Sequence, residues 1–327
     1  MENNKLYDLI NKYNTVVICS HIGPDGDNIG SSCALKRLFK NMKKTAYYVM
    51  DDEMPTNMKF LYDVEQPVKS SDIISEIKNK KYLFIGLDSG NKNRLKCDKI
   101  IIENASDIIN IDHHASNEGY GDVSIVNPNI SSTCQLVYEI IKEKYADFID
   151  PFVATSLYTG IVTDSGNFMF DCADSKTLNI AAELLRFGAN KAEISEKVFR
   201  SNSLGYLKLL SVALKNIQIH EKIALMSLDF ETIKSCGIAY NDIENIVNYA
   251  INIDGIKVGL LVKEKSPGDN KVSLRSKGDF DVSTIAQVFG GGGHKNASGC
   301  TIKGDFKDAL KRVLDVSKEK FNSWMAF

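Results

Sequence analysis

No Cys-x-x-Cys pair occurs in this sequence, and its seven cysteines (Cys19, Cys33, Cys97, Cys134, Cys172, Cys236 and Cys300) are scattered and odd in number. That argues against a structural zinc site or a disulfide framework and predicts reduced, mostly buried thiols. Long apolar runs are absent too: none approaches the roughly 18 residues of a membrane span. The opening residues, Met1-Glu2-Asn3-Asn4-Lys5, lack the basic-then-apolar order of a secretion signal, so a cytoplasmic protein with no membrane partner is expected. An excess of charge is also missing. With 40 basic and 42 acidic side chains the net charge is −2, which disfavours a general binder of nucleic-acid backbone and leaves room only for local basic pockets. There is no solenoid-type repeat and no polar low-complexity tract.

What is present is an ordinary soluble composition, 43% hydrophobic and 25% charged over 327 residues, long enough for two domains. Apolar, β-branched runs predict strands of a parallel sheet at Thr15–Ser20, Thr45–Met50, Tyr82–Leu87 and Asp107–Ile111. Helices are expected at Ser131–Tyr145, at Pro151–Val162 with its proline in the first turn, and at Asp174–Arg186 with Gly188 just past its end. Strands alternating with helices make residues 1–188 a doubly wound α/β domain, with its site beyond the strand C-termini. Residues 189–216 are expected as a helical connector. Residues 217–327 predict a smaller α/β domain, with apolar alternation at Ile217–Leu228, Lys257–Val262 and Lys271–Arg275, a helix at Asn241–Ile251 and a closing helix from Asp305. A cleft is expected between the two domains.

The chemistry gathers where the apolar elements end. The first strand runs into His21, then Asp25 and Asp27 in a loop tightened by Gly23, Pro24 and Gly26. The third ends on Asp88, the fourth on Asp112-His113-His114, and the second helix runs into Thr163-Asp164-Ser-Gly-Asn-Phe168. An acid in a turn is commonly a cap and nothing more, but the same design recurs several times. His21, Asp25, Asp27, Asp88, His113 and Asp164 form a hard oxygen and nitrogen donor set without a thiolate, suited to Mn²⁺ or Mg²⁺. Four carboxylates are too many for one divalent ion to offset when buried. Two ions roughly 3.5–4 Å apart, bridged by one carboxylate, would balance them and suit phosphoryl transfer. Downstream, Phe289 is followed by four glycines, His294 and Lys295, a flexible hinge or an anion-binding loop. Arg275 could fork onto a phosphate.

Taken together, these segments resemble the DHH phosphoesterase superfamily, named for its Asp-His-His motif, with the associated C-terminal domain that carries a Gly-Gly-Gly-His signature. The likeness covers nearly the whole chain: His21…Asp25-Gly-Asp27, Asp88, Asp112-His113-His114, Thr163-Asp164-Ser-Gly-x-Phe168, and Gly290–His294 with Ala297 and Gly299. It implies that His21, Asp25 and Asp88 hold one metal and that Asp27, Asp88, His113 and Asp164 hold the other, with Asp88 shared. By the same likeness Asp112 orients ligands from behind and His114 meets the scissile phosphate. Arg275, Gly291, Gly292, Gly293 and His294 would bind the far end of the substrate. Ser165 stands where threonine is common and Asn167 adds a polar group; neither is expected to touch a ligand.

Compact two-domain members of this kind look most like bifunctional oligoribonucleases that also dephosphorylate 3′-phosphoadenosine 5′-phosphate. The longer single-strand exonucleases carry an added binding module, and the pyrophosphatases lack the glycine-histidine signature. The resemblance therefore implies a hydrolase with two Mn²⁺ ions, Mg²⁺ or Co²⁺ being substitutes. Its partners would be short single-stranded RNA, dinucleotides and 3′-phosphoadenosine 5′-phosphate, with no duplex, and a homodimer is typical of such proteins. Cleavage of cyclic or linear dinucleotides is the neighbouring alternative, and a non-catalytic nucleotide sensor is the rival from another class.

Overall fold

A computed structural model of the chain describes residues 2–238 and 240–326. In the strand Thr15–Ser20 (β1), Val16 and Ile18 enter one hydrophobic layer while Val17 and Cys19 enter another. Successive side chains of a strand point to opposite faces, so a run with no polar face is one covered on both sides. Parallel to β1 lie Thr45–Val49 (β2) and Leu83–Leu87 (β3), followed by Asp107–Asp112 (β4) and Val123–Val126 (β5), in the order β2-β1-β3-β4-β5. This is a doubly wound parallel sheet whose order reverses between β1 and β3, where such folds place their sites. The helix Glu2–Lys12 and the strand β5 are among the elements outside the sequence expectation. The helix Glu2–Lys12 buries Leu6, Tyr7, Leu9 and Ile10 against the sheet. The strand β5 is an edge strand with only Val123 buried, too short and too wet to stand out as a pattern.

The expected helices are present, with shifted ends. Ser132 caps Thr133–Tyr145 by accepting from the Gln135 N–H, and the helix begun by Pro151 continues through Asp164. Val153 to Val162 of that helix are buried on every side. The hydroxyls within it are satisfied by carbonyls one turn back, Thr155 Oγ1 to Pro151 O at 2.7 Å and Thr159 Oγ1 to Thr155 O at 2.8 Å.

By contacts the chain divides into two units, the first ending at Ser201 and the second starting at Asn202. The stretch 189–216, expected as a connector, is shared between them. Ile194 of Lys191–Ile194 joins the first unit's core, whereas Leu204–Lys215 buries Tyr206, Leu209, Leu210 and Ala213 in the second. In the second unit the strands are Gln218–His220 (β6), Ile223–Leu228 (β7), Val258–Ser266 (β8), Asp269–Ser276 (β9), Gly292–His294 (β10) and Ala297–Lys303 (β11). Their order is β10-β11-β9-β8-β7-β6, antiparallel except for β7 and β8. The helix expected over Asn241–Ile251 is a 3₁₀ turn, Tyr240–Ile246, followed by Val247–Ile251. Asp305 caps the closing helix Phe306–Met325 through the N–H groups of Lys307 and Asp308. All seven cysteines are unpaired, and no described helix is long and apolar enough to cross a membrane.

In the first unit the Gly26–Asn41 helix and the Pro151–Asp164 helix approach closely enough to need glycine. A Cβ at Gly160 would fall 2.2 Å from Cys134 Sγ and 2.7 Å from Asp27 Oδ1. Alanine in place of a helical glycine ordinarily adds about 1 kcal/mol, but forcing volume into a filled core costs about 1–3 kcal/mol, and here the overlap wins. Gly160→Ala is expected to lower the urea midpoint, a net loss of about 1 kcal/mol or more; a raised midpoint would contradict this packing.

Candidate metal centre

Three strand ends and one helix end of the first unit deliver the acids and imidazoles to one place. Gly26–Asn41 starts with Asp25 as its cap, whose Oδ1 accepts from Asn28 N at 3.0 Å, so Asp25 is also a cap residue. Asn28 in turn donates to the His21 carbonyl at 3.0 Å and accepts from Ser20 Oγ at 2.6 Å, fixing the turn after β1. Asp88 leaves β3 with φ +53°, a left-handed backbone that side chains other than glycine adopt at a cost of about 1–3 kcal/mol. Its N–H donates to Ile111 O at 3.0 Å, which holds that turn against β4.

The carboxylate of Asp88 is the common member of three clusters whose donor atoms lie within 4.8 Å of one another: with His21 and Asp25, with Asp27 and His113, and with Asp112 and His114. His21 Nε2 is 3.2 Å from Asp88 Oδ2 and 3.7 Å from Asp25 Oδ2. His113 Nε2 is 3.6 Å from Asp88 Oδ1, 3.9 Å from Asp27 Oδ2 and 3.3 Å from Asp164 Oδ2. His114 Nδ1 is 2.7 Å from Asp112 Oδ1 and 3.7 Å from Asp88 Oδ1. All six metal-ligand candidates, with Asp112 and His114, are therefore brought together. Arg275, Gly291, Gly292, Gly293 and His294 belong to the second unit, Arg275 on β9 and His294 at the end of β10.

The charges are unbalanced. Burial first, and then the charges of Asp88 and Asp164, push the Asp27 carboxyl well above the usual carboxylate range. Burial and the charges of Asp25 and Asp88 do the same to Asp164. Burial opposes ionisation of Asp88 as well, but the hydrogen bond to His21 and the charges of the imidazoles hold it well below that range. Burial would lower His21, yet Asp88 and Asp25 raise it to about 10; Asp112 and Asp88 likewise raise His114 to about 9 against its burial. Hard donors converging with mutual repulsion fit divalent cations. Asp88 is the residue that these three donor groups have in common.

Several supporting residues carried no sequence signal. Both oxygens of Asp27 accept backbone N–H groups at the start of the Thr133–Tyr145 helix, from Thr133 at 2.6 Å and Cys134 at 2.8 Å, where the helix dipole favours an anion. Thr133 Oγ1 donates to Asp88 Oδ1 at 2.9 Å. Asn117 donates to Asp112 Oδ2 at 2.6 Å and to Asn110 Oδ1 at 2.9 Å. These pairs are far apart in sequence or sit in an irregular loop; the one clue was that Ser132 and Thr133 begin a helix. The second half of the glycine run, Gly292 and Gly293, lies in an edge strand, β10, paired with β11, while Gly290 and Gly291 lead into it from a turn. A Cβ at Gly291 would fall 2.2 Å from Gly299 O, and one at Gly293 2.6 Å from Ala297 O, so the hairpin itself demands those two glycines. Gly292 has open space around the same position.

Among known proteins, the DHH family N-terminal domain matches residues 15–161 and the DHHA1 domain residues 230–323. The chain is 33% identical over 307 residues to the bifunctional oligoribonuclease and PAP phosphatase NrnA of Thermus thermophilus, covering 93% of this chain and 90% of that protein. It is 28% identical over 306 residues to NrnA of Bacillus subtilis, covering 91% and 92%. The crystal structure of an exopolyphosphatase-related protein from Bacteroides fragilis matches with a TM-score of 0.85 and 27% identity, over 99% of this chain and 96% of that one. These matches, together with carboxylates and imidazoles gathered at the strand ends of a doubly wound sheet, make the chain a phosphoesterase. The chain belongs to the DHH family.

Partners that orient a ligand from behind are typically worth 10–100-fold in affinity or activity. Asn117→Ala is expected to weaken Mn²⁺ binding or turnover by about that range, measured on protein that is still folded by its thermal midpoint. Unaltered calorimetric affinity together with unaltered turnover would remove Asn117 from the site.

Proposed function

We propose that this protein is a two-metal phosphohydrolase that cleaves short oligoribonucleotides to mononucleotides and removes the 3′ phosphate of 3′-phosphoadenosine 5′-phosphate. The observation that carries this reading is the position of Asp88, shared by three overlapping donor clusters. His21, Asp25 and Asp88 would hold one ion and Asp27, Asp88, His113 and Asp164 the other. We favour Mn²⁺, with Mg²⁺ or Co²⁺ as substitutes, because the set is hard and contains no thiolate. Bound ions would supply a hydroxide at neutral pH and offset the charge of the phosphate oxygens.

The chain's own groups do the rest. Asp112 takes Nδ1 of His114 at 2.7 Å, which orients the ring so that Nε2 serves the substrate, donating to a phosphate oxygen or protonating the leaving oxygen. The Asn117 to Asp112 hydrogen bond keeps that carboxylate from rotating. In the second unit we assign Arg275, Gly291, Gly292, Gly293 and His294 to phosphate binding. Support comes from Gly292, whose missing side chain packing does not require, and from Arg275, whose strand pairs with Ala297 beside the hairpin. The names of the NrnA relatives, matched along nine-tenths of their length, favour short RNA and 3′-phosphoadenosine 5′-phosphate.

The test is hydrolysis of dinucleotides and of 3′-phosphoadenosine 5′-phosphate in Mn²⁺ and then in excess chelator, with cyclic dinucleotides as a comparison. Turnover is expected in Mn²⁺ only, and Asp88→Ala is expected to fall to background on every substrate. Equal rates with chelator, or a fully active Asp88→Ala protein, would refute the two-metal reading.

A further inference from the structure

Immediately after Asp164 the chain makes a turn that no packing pattern in the sequence announces. Gly166, Asn167 and Phe168 have φ of +58°, +58° and +63°, three left-handed residues in a row, two of them not glycine. Such residues occur singly as a rule, and a strained backbone persists where its surroundings over-determine it. Here they do. Asn167 N donates to Val162 O at 2.7 Å, Phe168 N to Ser165 Oγ at 3.1 Å, and Phe170 N to Ser165 O at 3.1 Å.

The turn has two consequences for the side chains. Phe168 is drawn inward, edge-on to Tyr158 with ring centroids 6.3 Å apart. Met169 and Phe170 are pushed out, 76% and 46% exposed. The Phe170 ring lies over Gly166, where a Cβ would come within 2.5 Å of its Cζ, so the ring is seated on backbone and not loose in solvent. The hydrogen bond from Phe170 to Ser165 returns this pair to the residue next to Asp164.

We propose that Met169 and Phe170 form an apolar shelf on which a nucleobase of the substrate stacks while the phosphate is held at the metal centre. This rests on the phosphohydrolase reading above and names the substrate feature that the same site grips. Short single strands present unpaired base faces, and an aromatic ring takes any of them, because every base has a π-face. A polarizable thioether beside the ring extends the apolar surface. The shelf therefore favours nucleotides over base-free phosphoesters without selecting among the four bases.

The experiment compares KM for a dinucleotide with KM for the same phosphodiester lacking one base, in the wild-type chain and in Phe170→Ala and Phe170→Tyr. Wild type is expected to favour the complete dinucleotide about tenfold, Phe170→Ala to lose that preference, and Phe170→Tyr to keep it. A preference that survives Phe170→Ala, or that wild type lacks, overturns the shelf while leaving the hydrolase standing. If wild type hydrolyses neither compound in Mn²⁺, the parent reading falls and the shelf with it.

Discussion

Mutual repulsion among carboxylates gathered around Asp88 governs the first unit. Asp27, Asp88 and Asp112 are buried and Asp164 is half-buried, and burial with neighbouring like charges opposes the ionisation of Asp27 and Asp164. A protein keeps such an arrangement only if something positive offsets it. The three imidazoles do part of this, and the start of the Thr133–Tyr145 helix does more by giving two N–H groups to Asp27. Divalent cations would complete the balance, and the same imbalance is what suits the site to them.

Much of the remaining architecture can be understood as holding those acids in place. β1, β3 and β4 run parallel, so their C-terminal ends bring His21, Asp88 and Asp112-His113-His114 to one edge of the sheet. The buried Pro151–Asp164 helix lies close against Gly26–Asn41, with Gly26, Gly30 and Gly160 at the close approaches, and its last residue is Asp164. Strain sits at two points beside the site, the left-handed backbone of Asp88 and the turn at Gly166–Phe168. The stable sheet and the buried helix fix the elements on either side of both.

The fold was readable because β1, β3 and β4 are apolar runs that stop on charged or imidazole side chains, and because helices separate them. The same endings identified His21, Asp25, Asp27, Asp88, His113 and Asp164 as belonging together. What stayed hidden depends on pairings distant in sequence or on backbone conformation. Thr133 meets Asp27 across 106 residues, and nothing local to either marks the other. Asn117 sits in a loop with no periodicity. The four glycines were legible as unusual, but the edge strand begun by the last two was not, since its pairing partner starts only at Ala297. The exposure of Phe170 follows from three left-handed residues, and of these only Gly166 hinted at it.

The central claim, two ions held through one shared carboxylate, is tested most directly by titrating the metal-free protein with Mn²⁺ and following it by electron paramagnetic resonance. The account predicts two ions bound per chain and the multiline signal of a magnetically coupled pair, lost in Asp88→Asn. Binding of a single ion, or a filled site showing only the spectrum of isolated ions, would contradict it.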